Sequence, residues 1–442
     1  MGINIILRMT IVFVMTSVLE TVQIHNQPHQ ADNSNQAEYD YAASWRPAKY
    51  NWKSPFTAFW NVPSYACSHL FNISLHLDEY GIVANKGENF TGDKVVIFYD
   101  DELGYYPYFN KSSQPINGGL PQTSDLLAHL EKATDDVLLT IPDPAFNGIG
   151  ILDWEAWRPQ WAQNFDTREI YRKQSKKLVQ ERHPKWSDEM IELVALIEYE
   201  QAAKYFMDST LRLVKELRPH AKWGFYHFPY CNNGKEPQRA CSPGVEASNE
   251  NITWLFDSST ALYPSIYLHG QETEMRDYVN GVVTEALRVR KLSNNKFADI
   301  FPYTRYLYSH SELFFTKEDL NATILQSAQM GCSGVVFWGS NNDTHTAESC
   351  SQLQSYLQVS LGPWVKRVTD AASLCSLNIC SANGRCVGDI LTCASSWQKL
   401  EGMGTHEKEM LGMRDNRGQQ SLFACTCDCY EGWSGTSCSI SG

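Results

Sequence analysis

Asp153 and Glu155 stand two residues apart where the apolar run Gly148-Ile149-Gly150-Ile151-Leu152 ends, and Ala156, Trp157, Arg158, Pro159 and Trp161 follow. On a strand successive side chains alternate faces, so the two carboxyls project to one side while Leu152 and Trp154 point to the other. Pro159 cannot donate to a ladder and closes the element. Two acids on one strand face also describe a solvated edge or a salt-bridge partner, so the neighbours decide. Trp154, Trp157 and Trp161 offer flat apolar faces of the kind on which sugar rings stack, and Arg158 could pin the carboxylates or an anionic substrate. Carboxyls on a single strand cannot easily flank a glycosidic bond from opposite sides at the ~5 Å of an ordinary retaining pair. One must be the acid and the other its helper. Glu155, further out and beside Trp154 and Trp157, is the expected general acid/base; an ionised Asp153 and partial burial are expected to raise its pKa so that it keeps a proton. His227, one residue off the face of Tyr226, reads as packing. With no metal-ligand spacing, phosphate loop or nucleophilic Ser or Cys context, no cofactor is expected.

The elements that must position these groups recur along the chain. Apolar runs at 56–63, 95–99, 148–155, 221–229, 261–268, 299–308 and 334–339 alternate with helical stretches, the clearest at 187–217, which opens on Asp188 and Glu189 and stops before Pro219. Such alternation predicts a parallel sheet covered on both sides, most naturally closed into a barrel, with reactive groups where strands end. Tyr99, Asp153 with Glu155, Tyr226, Tyr267, Tyr306 and Trp338 stand at those ends, so several should line one cleft.

The stretch Ile151-Leu152-Asp153-Trp154-Glu155-Ala156-Trp157-Arg158-Pro159 resembles the signature of animal hyaluronidases, glycoside hydrolase family 56. The resemblance continues in order through Phe56–Pro63, Gly118–Gln122, Trp223–Tyr226, Ala261–Tyr267 and Gly334–Trp338, and covers the chain from about Pro55 onward. It implies a distorted (β/α) TIM-like barrel of about seven strands. It also implies a secreted or lysosomal endo-β-N-acetylhexosaminidase acting on hyaluronan, with chondroitin and its sulfates as alternative substrates, in which the substrate's own N-acetyl oxygen is the nucleophile and Asp153 holds the acetamido group. By the same match Tyr226 and Tyr267 should contact that group, Trp338 should wall the cleft and Tyr99 line it. Glu285 is a weaker candidate, and Val282 stands where some relatives carry an arginine thought to meet substrate carboxylate. A non-hydrolytic glycan-binding or adhesion protein is the competing reading from another class, but mere binding has no need of a protonated acid beside an aromatic.

Thirteen cysteines and Asn-x-Ser/Thr sequons at Asn72, Asn89, Asn110, Asn251, Asn321 and Asn342 point to the secretory pathway. Residues 1–24 read as a signal peptide, 25–50 as a polar extension or propeptide, 51–370 as the barrel and 371–442 as a small cysteine-dense module. That module resembles an epidermal-growth-factor-like domain with a long internal insertion, which implies pairs Cys375–Cys386, Cys380–Cys427 and Cys429–Cys438 and leaves Cys393–Cys425 as an extra pair. For the barrel, the family resemblance implies Cys67–Cys350 and Cys231–Cys241, and Cys332 is the candidate for the odd thiol. A net charge of −13 argues against nucleic acid and gives a polyanionic glycan no long-range attraction, so any basic binding surface must be local. No apolar run is long enough to span a membrane, and a monomer is expected.

Overall fold

The computed structural model describes residues 55–231, 240–270, 275–401 and 425–442. The expected signal peptide and extension, and the middle of the insertion between Cys393 and Cys425, lie outside the described residues.

Each predicted apolar run contains a strand. They are β1 (Thr57–Asn61), β3 (Val95–Phe98), β4 (Ile149–Leu152), β5 (Lys222–Phe225), β6 (Ala261–Leu262), the pair β7 (Asp299–Ile300) and β8 (Tyr303–Thr304), and β9 (Gly334–Trp338). The addition is β2 (Ile82–Ala84), too short to show a period. All ladders among them are parallel: β2-β1-β9-β8 in one group, β3-β4-β5 in a second and β6-β7 in a third. Parallel bridges Tyr226↔Tyr263 and Ser265↔Tyr303 join β5 to β6 and β6 to β8. The result is a distorted (β/α) barrel.

Alternation along the strands builds its core. Phe59, Val95, Ile97, Ile149, Ile151, Tyr263, Phe301, Tyr303 and Val336 form one buried cluster, with Tyr99, Tyr226, Tyr267 and Trp338 packed against it. The residues between them, such as Phe98, Leu152 and Phe225, are buried on the other face. Gly150 is required there: a β-carbon would lie 2.4 Å from the Trp223 ring. Among the covering helices are α1 (Leu126–Thr140), α2 (Glu169–Arg182), α3 (Asp188–Leu217) and α4 (Met275–Leu292). The predicted α3 is capped by Ser187, whose side chain accepts from the Met190 amide, and buries Tyr199, Ala203, Phe206 and Val214.

The boundary expected at 370/371 falls inside α5 (Gly362–Ile379), which runs through it unbroken. Val365, Val368 and Ala372 are buried, so the onset of cysteines marks where bridges begin, not where packing stops. The described residues, from 55 to the last strand pair, fall in one compact unit. Beyond α5, β10 (Gly384–Gly388) pairs antiparallel with β11 (Cys425–Cys429). Six disulfides join Cys67–Cys350, Cys231–Cys241, Cys375–Cys386, Cys380–Cys427, Cys393–Cys425 and Cys429–Cys438.

A buried charge cluster fastens this C-terminal part to the N-terminal ends of the strands. Asp299, first in β7, meets Lys222 Nζ at 2.7 Å, the Ser333 hydroxyl at 2.6 Å and the Arg385 guanidinium from β10. Arg385 also donates to the Pro55 carbonyl and lies over the Tyr430 ring. Burial opposes ionisation of Asp299, but Lys222 and Arg385 prevail and hold its pKa below the usual carboxylate range.

Replacing Arg385 with alanine leaves Asp299 buried with one cation fewer, and should cost ~3–5 kcal/mol in reversible denaturation. Because the folded pKa of Asp299 is depressed, its stabilisation exists above the unfolded carboxyl pKa and fades as pH falls, so the difference between Arg385→Ala and the parent should narrow in acid. Cys332 is the free cysteine, buried, with its thiol pushed up to about 12 by burial. Alkylation should therefore label no residue in the native chain and Cys332 alone after denaturation, read by peptide mass mapping.

Candidate active site

The catalytic candidates sit where β4 gives out. The ladder continues one residue past the strand, with the Asp153 amide donating to the Phe98 carbonyl at 2.9 Å and the Tyr226 amide to the Leu152 carbonyl at 3.0 Å. This fixes Asp153 against the barrel interior. One of its carboxyl oxygens is buried with no hydrogen-bond partner. Burial, reinforced by the negative charges of Glu155 and Asp100, pushes the Asp153 carboxyl up to about 8 in spite of Arg158. Glu155 stands further out, its side chain 48% exposed and so open to a ligand. Its Oε1 accepts from Arg158 Nη2 at 3.0 Å and lies 3.4 Å from His227 Nδ1. Partial burial pushes this carboxyl up, yet the His227 and Arg158 contacts prevail and hold it at about 2. The expected protonation is therefore reversed: Asp153 carries the proton and Glu155 the charge, because burial and neighbouring negative charge outweigh Arg158 at Asp153, while the His227 hydrogen bond and the Arg158 guanidinium outweigh burial at Glu155.

The aromatic candidates converge on the same mouth. Trp338, last in β9, donates from Nε1 to the Tyr99 hydroxyl at 3.1 Å and stacks on Tyr267 with centroids 6.1 Å apart. Tyr267 lies 6.3 Å from Tyr226, whose hydroxyl donates to Ser265 at 3.2 Å. Burial raises the phenol pKa of Tyr99, Tyr226 and Tyr267, which keeps all three neutral donors. These rings, unlike many barrel-end aromatics, are only partly buried and leave faces available.

Three expectations are corrected. Trp154, Trp157 and Trp161 are buried, at 4%, 2% and 4% exposure, and offer no face to a sugar. Alternation sends Trp154 outward, into a cluster with Tyr106, His129, Phe206 and Phe225, while Trp157 stacks on Tyr106 and donates to the Pro107 carbonyl. Of the two roles expected of Arg158 the structure keeps the first: 6% exposed, it pins the Glu155 carboxylate and lies over the Tyr230 ring, and it is not turned to a substrate. Glu285 is neither surface nor cleft: it is buried, gripped by Arg288 at 2.7 Å and by Asn249 at 2.7 Å, and Val282 is buried too.

Two groups at the mouth escaped the sequence reading. Asp100 follows Tyr99 at the end of β3 and is pushed up to about 6, first by burial and then, against a hydrogen bond from the Glu155 amide, by the charges of Glu155 and Asp101. Its place at a strand end was a usable signal. His227 was read as packing because alternation puts it off the Tyr226 face, but β5 ends at Phe225 and His227 takes φ +74°, so alternation no longer governs it.

The family model for hyaluronidases, glycoside hydrolase family 56, matches residues 46–441. Hyaluronidase-1 of Sus scrofa is 37% identical over 407 residues, 88% of this chain and 93% of that protein, and Hyaluronidase-1 of Homo sapiens is 37% identical over 401 residues, covering 87% and 92%. Among solved structures, bee venom hyaluronidase in complex with a hyaluronic acid tetramer is similar with a TM-score of 0.66 and 35% identity, over 71% of this chain and 99% of that one. With the family model matched from before the first strand to the last cysteine bridge and beyond, and relatives 37% identical aligned over 88% and 87% of its length, the chain belongs to the hyaluronidase family of glycoside hydrolases.

Proposed function

We propose that the protein is a secreted, retaining endo-β-N-acetylhexosaminidase that hydrolyses the β-1,4 linkages between N-acetylglucosamine and glucuronate in hyaluronan, with the substrate's acetamido oxygen as nucleophile. The observation that carries the mechanism is the unequal surroundings of the pair, which bury Asp153 with an unpartnered oxygen and leave Glu155 open beside Arg158. A carboxyl that holds its proton near neutrality, as Asp153 does, is a poor nucleophile, and Glu155 lies on the same strand end. The attacking atom then has to come from the sugar.

In this reading the N-acetylglucosamine ring rests against Trp338, with Tyr226 and Tyr267 donating toward its acetamido group. Filling the mouth strips water from Glu155, which raises its affinity for a proton, and the proton of Asp153 passes to it. The resulting Asp153 carboxylate accepts the acetamido N–H and sharpens the carbonyl oxygen. Glu155 protonates the leaving oxygen as the acetamido oxygen bonds to the anomeric carbon. Water then opens that cyclic intermediate, surrendering a proton to Glu155, and two inversions return the β configuration. Intramolecular attack of this kind is worth ~7–11 kcal/mol in effective molarity.

Secretion is supported by six disulfides in one chain. Asn72, Asn89, Asn251 and Asn342 are exposed and suited to carry glycans, whereas Asn110 and Asn321 are half-buried. Chondroitin, which shares the uronate, is the alternative substrate, and the buried Val282 does not discriminate between the two.

Glu155→Gln keeps the shape and deletes the transferable proton, so it should bind hyaluronan while losing ~10²–10⁴ in rate. Cleavage by the purified variant within tenfold of the parent would remove Glu155 from the role of acid. For the nucleophile, anomer-resolved NMR of the earliest products should show β reducing ends, and partly deacetylated polymer should bind but resist cleavage, with chondroitin digested in parallel to fix the preference. Initial α product, or ready cleavage at deacetylated glucosamine, would assign the attack to water or to another side chain.

A further inference from the structure

We propose that Arg168 receives the carboxylate of the glucuronate on the leaving-group side of the scissile bond, and so makes a uronate a requirement of the cleft; this rests on Glu155 being the acid and hyaluronan the substrate, as read above. In that polymer the carbon that carries the leaving oxygen is bonded directly to the carbon that carries the carboxylate. A group that protonates the oxygen therefore has the carboxylate at close quarters. The mouth already holds Asp100, Asp153 and Glu155, so the incoming charge needs a cation beside Glu155 itself.

Arg168 lies in that place. Its Nε donates to the Glu155 carbonyl at 3.1 Å in a contact open to solvent, which ties the guanidinium to the main chain of the residue whose carboxylate Arg158 holds at 3.0 Å. Its charge acts on Glu155, Tyr230 and His227, the groups around the same opening. The segment before α2 fixes its position. Asp166 takes φ +51°, the Arg168 amide donates to the Phe165 carbonyl at 3.0 Å, and in the first turn of α2 the buried Tyr171 accepts through its hydroxyl from the Phe109 amide at 3.2 Å.

Within the fold this charge goes unmatched. Among the described residues no carboxylate pairs with Arg168: Glu155 turns its own to Arg158, and Glu169, next in the chain, pairs with Arg172 at 3.5 Å. Burial and the repulsion of Arg158 lower its pKa, but a guanidinium keeps its proton. It also stands at the N-cap of α2 without a side-chain cap bond, where the helix dipole opposes a cation. The other arginines near the mouth are committed, Arg158 to Glu155 and Arg305 to Asp343 at 2.8 Å with its guanidinium over the Trp338 ring. Both Nη groups of Arg168 lack an acceptor among the described residues, which leaves them for the two oxygens of a carboxylate. Chondroitin carries the same uronate beside the leaving oxygen, so Arg168 selects for the acid sugar and not between the two polymers.

Initial rates are measured for full-length parent, Arg168→Gln and Arg168→Lys on hyaluronan and on carboxyl-reduced hyaluronan, in which a hydroxymethyl group replaces each carboxylate. On hyaluronan Arg168→Gln should lose about tenfold in kcat/KM, carried by KM with kcat changed less than about threefold, and on the reduced polymer it should match the parent within about threefold. Arg168→Lys, which keeps the charge without the fork, should fall between the two on hyaluronan. Equal loss on both polymers reduces Arg168 to a support for the Glu155 main chain, and no loss on hyaluronan removes it from the cleft; either result overturns the proposal. Calorimetry repeats the comparison without turnover: hyaluronan oligosaccharides should bind Glu155→Gln more tightly than the double variant Glu155→Gln/Arg168→Gln, and their reduced counterparts should bind both alike. If the parent cleaves no hyaluronan but that binding difference is present, the hydrolytic reading fails and the uronate contact stands. If the parent cleaves hyaluronan and neither rates nor binding tell the two polymers apart through Arg168, the contact alone fails.

Discussion

Two carboxyls with ordinary pKa values near 4 are driven apart at the end of β4 by what each one meets, and the site depends on that separation. Asp153 is turned against the barrel interior with an unpartnered oxygen, where ionisation has little compensation. Glu155, two residues on, meets Arg158 and His227 and ionises readily. The pair thus holds one proton on the buried member and one charge on the member that is open to solvent. Covering Glu155 removes the water that favours its charge, so the act of binding is what would transfer the proton. The strand end does not merely hold two acids; it holds them in unequal surroundings.

Keeping those surroundings unequal falls to the layer behind the strand. Trp154, turned away from the mouth, packs against Tyr106, Phe206 and Phe225, and Trp157 also stacks on Tyr106. Arg158 is fixed through its backbone as well as its guanidinium: its amide donates to Asn164, and its carbonyl accepts from Tyr199 on α3 and from Asn164. A guanidinium so fixed cannot follow a departing ligand, so it keeps Glu155 charged whenever the cleft is open. The tryptophans contribute to the chemistry by stiffness, without presenting a face to the sugar.

Alternation within a strand made much of this legible from the sequence, and its failures fall where strands end. It correctly separated Asp153 from Trp154 and located seven apolar runs that each carry a strand. It could not say that Trp154 and its neighbours would be covered, because a tryptophan beside a carboxylate looks the same whether α3 or a sugar lies over it. It misjudged His227 because a residue at φ +74° obeys no pleat. The direction of the pKa shifts was out of reach for a different reason: it depends on which carboxyl finds a cation, and Arg158 and His227 reach Glu155 only through turns whose shape is set by contacts with Tyr263, Asn164 and Tyr199.

The two ends of the barrel treat a buried acid in opposite ways. At the N-terminal ends of the strands Asp299 is surrounded by Lys222, Arg385 and Ser333, and its charge is fully matched. Matching a buried charge adds little by itself, but breaking it is costly, so removing Arg385 with the C-terminal part of the chain would leave Asp299 buried with one cation fewer. At the C-terminal ends Asp153 has a buried oxygen without a hydrogen-bond partner, and a buried carboxyl in that condition keeps its proton and destabilises the fold at neutral pH. Parallel strands allow this division, since every strand begins at one end and finishes at the other. Stability is concentrated where the chain enters the sheet, so that the unsatisfied group can be tolerated where it leaves. An arginine able to reach Asp153 would strengthen the fold and, by ionising that carboxyl in the open cleft, take away the proton that the proposed mechanism draws on.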